Sequence, residues 1–208
     1  MSLKPSLSFP LRRRLLGASA VAAALAQLSL LTPLQASAQT PGPADGQNKE
    51  LDTPFVTTPQ NVVDAMLELA QMRRSDTLLD LGSGDGRIVI TAAKRFGVPG
   101  LGVEIDPRLV ERARATALNE GVAGRARFEI QDLFQTDLTQ ASVITLNLLP
   151  DVNEMLKPRL QKLKPGTRIV SHDWSMGDWV PDRTISVDAP GKTVGIEKTS
   201  KLYLWVVR

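Results

Sequence analysis

The chain is predicted to form a doubly wound α/β domain, and three observations predict it. Short apolar segments alternate with segments of helical period from Thr58 to Ser171, and a glycine-rich turn, Gly82-Ser83-Gly84-Asp85-Gly86, follows the first apolar segment. The last two apolar segments, 183–187 and 202–207, have no long helical segment between them. Alternation of this kind implies parallel strands joined by right-handed crossovers, with helices on both faces of the sheet. The closing pair is expected to be antiparallel, giving a seven-stranded, mostly parallel sheet with an antiparallel last strand.

Taken in order, Thr58-Pro59 reads as a helix start, threonine as cap and proline at the first helical position. Val62, Val63, Met66, Leu67 and Ala70 then share one face of a helix reaching to about Met72. The first buried strand spans 77–81 and the first crossover helix 86–96, ended by Gly97. A second strand covers 100–104, and Asp106-Pro107 repeats the cap-then-proline signal before a helix whose face is Leu109, Val110, Ala113 and Ala117. Strands at 127–130 and 142–148 flank a polar loop, 131–140. A helix over 152–163 leads through Lys164-Pro165-Gly166 into the fifth strand, 167–171.

The glycine turn stands between a strand and a helix, where backbone amides with no intrahelical partner face a ligand. Dinucleotide sites use G-x-G-x-x-G, with a pyrophosphate on the helix amides. Here the pattern is G-x-G-x-G, and Asp85 stands where two phosphates would lie. A carboxylate repels a pyrophosphate but tolerates a zwitterionic amino acid beside a sulfonium. The spacing therefore favours S-adenosylmethionine over a nicotinamide dinucleotide, and an oxidoreductase is the disfavoured reading.

Three acids fall into register with such a site: Asp80 at the head of the turn, Glu104 ending the second strand, and Asp132 after the third. With these, Asp80 to Gly86 resembles motif I of class I methyltransferases, a Rossmann-like fold. More narrowly, Phe55-Val56-Thr57-Thr58-Pro59, Asp80 through Val89, and Lys164 through Asp173 resemble the mitochondrial protein-lysine methyltransferases that act on the ATP synthase c-subunit and the adenine nucleotide translocase, and their bacterial relatives. The resemblance covers roughly residues 55–208. At Asn147 the sequence departs from it, since that family carries an aromatic residue there, usually tyrosine.

The resemblance implies S-adenosyl-L-methionine as cofactor and N-methylation of a protein lysine as activity. It places Gly82, Ser83 and Gly84 against the methionine portion, with Asp80 and Asp85 toward its ammonium. Glu104 is expected to accept from both ribose hydroxyls and Asp132 from the adenine amino group, with Leu133 or Phe134 packing on the ring. Phe55, Thr57 and Thr58 close over the cofactor. On the catalytic side stand Asn147, whose side-chain carbonyl can hold an acceptor amine or hydroxyl, and His172 with Asp173, at the carboxyl end of the fifth strand, where a histidine can take a proton near neutral pH. Trp174 and Trp179 are candidates for an acceptor channel, or for packing. The acceptor, protein or small molecule, must present a deprotonated nucleophile, which desolvation promotes for lysine. A nucleoside-binding module that keeps the fold without the activity is the other reading.

Composition bounds the remainder. The chain has 208 residues, a net charge of +3, no cysteine and one histidine, which excludes disulfides, thiolate catalysis and a His-cluster metal site, so no metal is expected. Lys4, Arg12, Arg13 and Arg14 precede any acid, and the chain beyond them carries −1. No nucleic-acid partner is expected from that balance. Residues 1–38 read as an export signal: a basic start, an apolar stretch rich in alanine, and Ala36-Ser37-Ala38 as cleavage site. Arg12-Arg13-Arg14-Leu15-Leu16 fits a twin-arginine signal, which implies the export machinery as partner and a periplasmic address, an uncleaved membrane anchor being the alternative. Residues 39–52 read as a linker, and 53–208 as the catalytic domain.

Overall fold

A computed structural model describes residues 56–193 and 195–208. The predicted leader, the linker and Phe55 lie outside the described residues. The order of elements is α1 (Gln60–Leu69), β1 (Leu78–Leu81), α2 (Arg87–Phe96), β2 (Gly100–Glu104), α3 (Pro107–Asn119), β3 (Ala126–Ile130), β4 (Val143–Leu146), α4 (Pro150–Leu160), β5 (Arg168–His172), β6 (Arg183–Asp188) and β7 (Thr199–Val206). A short 3-10 turn, Leu133–Gln135, interrupts the polar loop after β3.

The seven strands form one sheet in the order β3-β2-β1-β4-β5-β7-β6. Strands β1 to β5 are parallel to one another. β7 is antiparallel to both β5 and β6, so the closing pair enters the sheet through β7 rather than β6. The order reverses between β1 and β4, and a ligand crevice opens outside the carboxyl ends of the strands at such a point.

Side-chain alternation divides the core. Leu78, Val143 and Val170 join the buried faces of α1, α2 and α3. Leu79, Leu81, Ile144 and Ile169 point the other way, to α4 and Trp205. Because the period is two, Asp80 shares a face with Leu78 and opposes Thr145 in register.

Boundaries move where side chains find tertiary partners. α1 begins after Pro59 and no side chain caps it, because the predicted cap, Thr58, is drawn inward to bond His172. It ends at Leu69, where Gln71 takes a positive φ of 50°, and the released carbonyls of Ala70 and Gln71 accept from Arg168 at 2.7 and 2.9 Å. Arg168 also pairs with the buried Asp76, tying the end of α1 to the start of β5. α3 is capped as predicted, Asp106 accepting from the Arg108 amide at 2.9 Å. α4 starts two residues before its predicted limit, with Pro150 in its first turn.

Candidate active site

Strand ends place the candidate residues. The turn after β1 is pinned to β2, Gly82 and Ser83 amides donating to the Val103 carbonyl at 3.0 and 2.9 Å, and is closed by the Gly86 amide on the Ser83 carbonyl at 2.9 Å. Gly82 has a φ of +73°, and a Cβ there would stand 2.7 Å from a Leu148 methyl. Only glycine takes this conformation this close to the segment after β4.

Asp80 lies beneath the turn, 2 % exposed. Thr145 donates to its Oδ1 at 2.6 Å. Burial pushes the carboxyl up to about 7, against that hydrogen bond, with Glu104 and Asp85 adding to the rise. Its Oδ2 and the nearby Ser83 Oγ are buried without a hydrogen-bond partner among the described residues. Orphaned polar atoms of this kind fit a ligand that brings donors, and a cationic amino group suits a carboxylate.

Glu104 ends β2 with its carboxylate already engaged. Oε2 accepts from the Gly84 amide at 3.0 Å, and Oε1 from the amides of Ile105 and Asp106 at 2.8 and 3.0 Å. A carboxylate offers about four acceptor directions. Holding two ribose hydroxyls therefore requires one of these three amides to let go. Asp132 is exposed; its Oδ1 caps the 3-10 turn through the Phe134 amide at 2.8 Å, and Leu133 beside it is half-buried.

Asp85 departs from expectation. Its carboxylate is gripped by Arg87, at 2.8 Å from Nε and 2.5 Å from Nη2, and lines a groove between α1, α2 and α3 instead of standing open to an ammonium. The guanidinium holds that carboxyl below its ordinary range although burial opposes it. Arg87 also donates to the Thr58 carbonyl at 2.7 Å, fastening the chain before α1 to the turn. The groove, of about 470 Å³, also has Lys94 bound to Glu120 and Arg95 bound to Asp64.

The second departure concerns His172. It is 3 % exposed, with Nδ1 at 3.2 Å from Thr58 Oγ1 and Nε2 at 2.8 Å from Ser200 Oγ. Burial lowers its pKa, with Asp173 opposing and Lys192 assisting. Both ring nitrogens are occupied, so in this arrangement neither is free to take a proton from an acceptor. Asp173 sits at φ 61° and pairs with Lys192 at 2.7 Å, also accepting from the Lys201 amide at 3.0 Å. Its carboxylate thus belongs to the β5–β7 junction.

Asn147, half-buried after β4, donates from Nδ2 to the Val56 carbonyl at 3.2 Å and to Thr58 Oγ1 at 3.1 Å. The structure thus brings together Asn147, Thr58 and His172, and separately Asp80, Ser83 and Glu104. Thr57 is half-buried beside Thr58. Of the tryptophans, Trp174 is 44 % exposed while Trp179 packs on Trp205, their rings 5.7 Å apart. Sequence reasoning missed Arg87, whose carboxylate partner is two residues away, and Asn153, a fully buried amide that bonds Ser171 and the carbonyls of Trp174 and Ser175. Arg87 was legible as a cation two residues after Asp85; nothing in the sequence marks Asn153.

The sequence profile of the ANTKMT methyltransferase domain matches residues 80–183. A protein-lysine N-methyltransferase of Saccharolobus islandicus (strain REY15A) is 48 % identical over 137 residues, 65 % of this chain and 85 % of that one. A Rattus norvegicus lysine N-methyltransferase of the ATP synthase c-subunit is 39 % identical over 132 residues, 63 % of this chain but 60 % of its own length. Among solved structures, an RNA methyltransferase from Salinibacter ruber in complex with S-adenosyl-L-homocysteine is 49 % identical, covering 73 % of this chain and 94 % of that one with a TM-score of 0.67.

Proposed function

We propose that this chain, which belongs to the ANTKMT methyltransferase domain family and is an S-adenosylmethionine-dependent methyltransferase, has a protein lysine side chain as its acceptor. The family match and the archaeal relative support that acceptor. The observation in the site that carries it is Asn147, whose Nδ2 is committed to Val56 and Thr58 and whose Oδ1 has no partner among the described residues.

The residues divide into two tasks. When bound, S-adenosylmethionine supplies an activated methyl group on a sulfonium. Asp80 and Ser83 would receive the amino-acid end, on the strength of their unpartnered buried atoms. Glu104 would accept from ribose, exchanging the Gly84 amide for a hydroxyl. Asp132 Oδ2 would take the adenine amino group, with Leu133 against the ring. Asn147 Oδ1 would accept an N–H of the neutral lysine amine, turning its lone pair toward the methyl group. Alignment of this kind, with water kept out, is most of what transfer between an activated donor and an amine needs. The chain offers no free general base at His172, so the lysine must reach the site neutral, which desolvation promotes.

The similarity to an RNA methyltransferase favours a second acceptor class. Against it stands the charge, −1 beyond Arg14, where an RNA surface needs a basic footprint. Purified protein, tritiated S-adenosylmethionine and either total cell protein or total RNA separate the two. Label is expected in protein, on lysine by mass spectrometry, and label in RNA alone would overturn the lysine reading. Glu104→Ala is expected to weaken cofactor affinity about 10- to 100-fold, measured by calorimetry. The leader supports a further proposal, that the folded enzyme is exported through the twin-arginine route.

A further inference from the structure

We propose that His172 is a positioning residue, which acts through Thr58 to hold the Asn147 carboxamide with its oxygen toward the methyl acceptor. The inference rests on the reading of Asn147 as the acceptor contact.

The Val56 carbonyl fixes the direction at Asn147, and the buried Thr58 proton fixes it at the ring. Val56 O can only accept, so the Asn147 atom 3.2 Å from it is the amide nitrogen. That nitrogen is a donor with no acceptor capacity, so it donates to Thr58 Oγ1 as well, at 3.1 Å. Thr58 Oγ1 has a second acceptor lone pair, but its own buried proton has no acceptor among the described residues other than His172 Nδ1, at 3.2 Å, and is satisfied only by donating there. Nδ1 is therefore the acceptor of the ring, and the ring proton sits on Nε2, 2.8 Å from Ser200 Oγ. Asp173 Oδ2, 3.4 Å from Nε2, favours the same tautomer, and the Lys192 ammonium 2.7 Å from that carboxylate opposes a second ring proton. Thr58, His172 and Ser200 are 4 %, 3 % and 0 % exposed, so water does not compete for these bonds.

Take the acceptor at Nδ1 away, and the Thr58 proton is free to turn toward Asn147. It then favours the carboxamide oxygen over the nitrogen, and one of the two contacts that set the amide's orientation is reversed. The other, to Val56, lies in the segment that leads into α1, so the two contacts stand or fall with the docking of that segment. The histidine is thus required as a neutral acceptor, not as a base.

His172 is the only histidine of the chain, which makes the test direct. In untagged full-length protein labelled with nitrogen-15 histidine, the ring spectrum is expected to show the neutral tautomer with its proton on Nε2, and Thr58→Val is expected to move the Nδ1 resonance. A proton on Nδ1 overturns the proposal. In kinetics, His172→Asn keeps an oxygen near the Nδ1 position and His172→Gln near Nε2. The initial rate of labelled methyl transfer into total cell protein is expected to fall at least about tenfold in His172→Gln and Thr58→Val, with cofactor affinity in His172→Gln within about twofold of the parent. His172→Asn and Thr58→Ser are expected to recover most of that loss. Equal losses in His172→Asn and His172→Gln, or an undiminished rate in Thr58→Val, also overturn it. A parent protein that transfers no label to protein defeats the functional reading instead, and the ring spectrum still decides the direction of the chain.

Discussion

At Asp80 the site acquires a pH dependence. The folded carboxyl, near 7, lies above its ordinary value of 3.8, so it favours the folded state below about 4 and loses that contribution as pH rises through about 7. Cofactor binding runs the opposite way, since an ammonium needs the ionised carboxylate. Affinity for S-adenosylmethionine is expected to be about tenfold higher at pH 8 than at pH 6, and Asp80→Asn to remove that difference, as titration calorimetry would show. An equal pH dependence in the variant would mean that another group binds the amino end. Asp80, Glu104 and the glycines were legible because a strand, a turn and the next strand's end fix their spacing. Arg87 was legible as a cation near Asp85 but not as the group that claims its carboxylate, and the partners of the His172 ring were not legible, lying 114 and 28 positions away.

Among the elements, the approach of α2 to β3 and α3 depends on Gly86. It opens α2 at φ +79°, and a Cβ would stand 2.6 Å from the Phe128 ring and 2.8 Å from the Ala113 methyl. Neither neighbour can yield, both being buried at 3 % and 0 % exposure. Gly86→Ala is expected to cost about 1–3 kcal/mol by chemical denaturation, and to displace the turn enough to weaken the cofactor. A variant as stable as the parent would show that the packing relaxes. The helix ends illustrate the limits of local signals. Asp106-Pro107 capped as read, since its donors lie two residues on. Thr58-Pro59 carries the same signal, yet its hydroxyl went to His172, because a buried ring nitrogen needs a partner more than an exposed helix end does.

For the whole molecule, the open question is where the enzyme works. S-adenosylmethionine is consumed stoichiometrically, so a folded enzyme outside the cytoplasm needs a supply there, whereas one acting before export does not. A reporter fused after Arg208 is expected to lose export when Arg12 and Arg13 are both changed to lysine, read by fractionation. Unchanged export would refute the twin-arginine route. The sequence by itself determined the class of fold, the glycine turn and the order of acids along it, because these depend on periodicity and on spacing within a strand-turn-helix unit. The tertiary structure alone decided which polar atoms remain free. Among the described residues Asn147 Oδ1 and Asp80 Oδ2 have no partner, while His172, Asp85 and most of Glu104 are claimed by neighbours. A hydrogen bond saturates its donor and acceptor, and which pairs form depends on residues that meet only when the sheet closes.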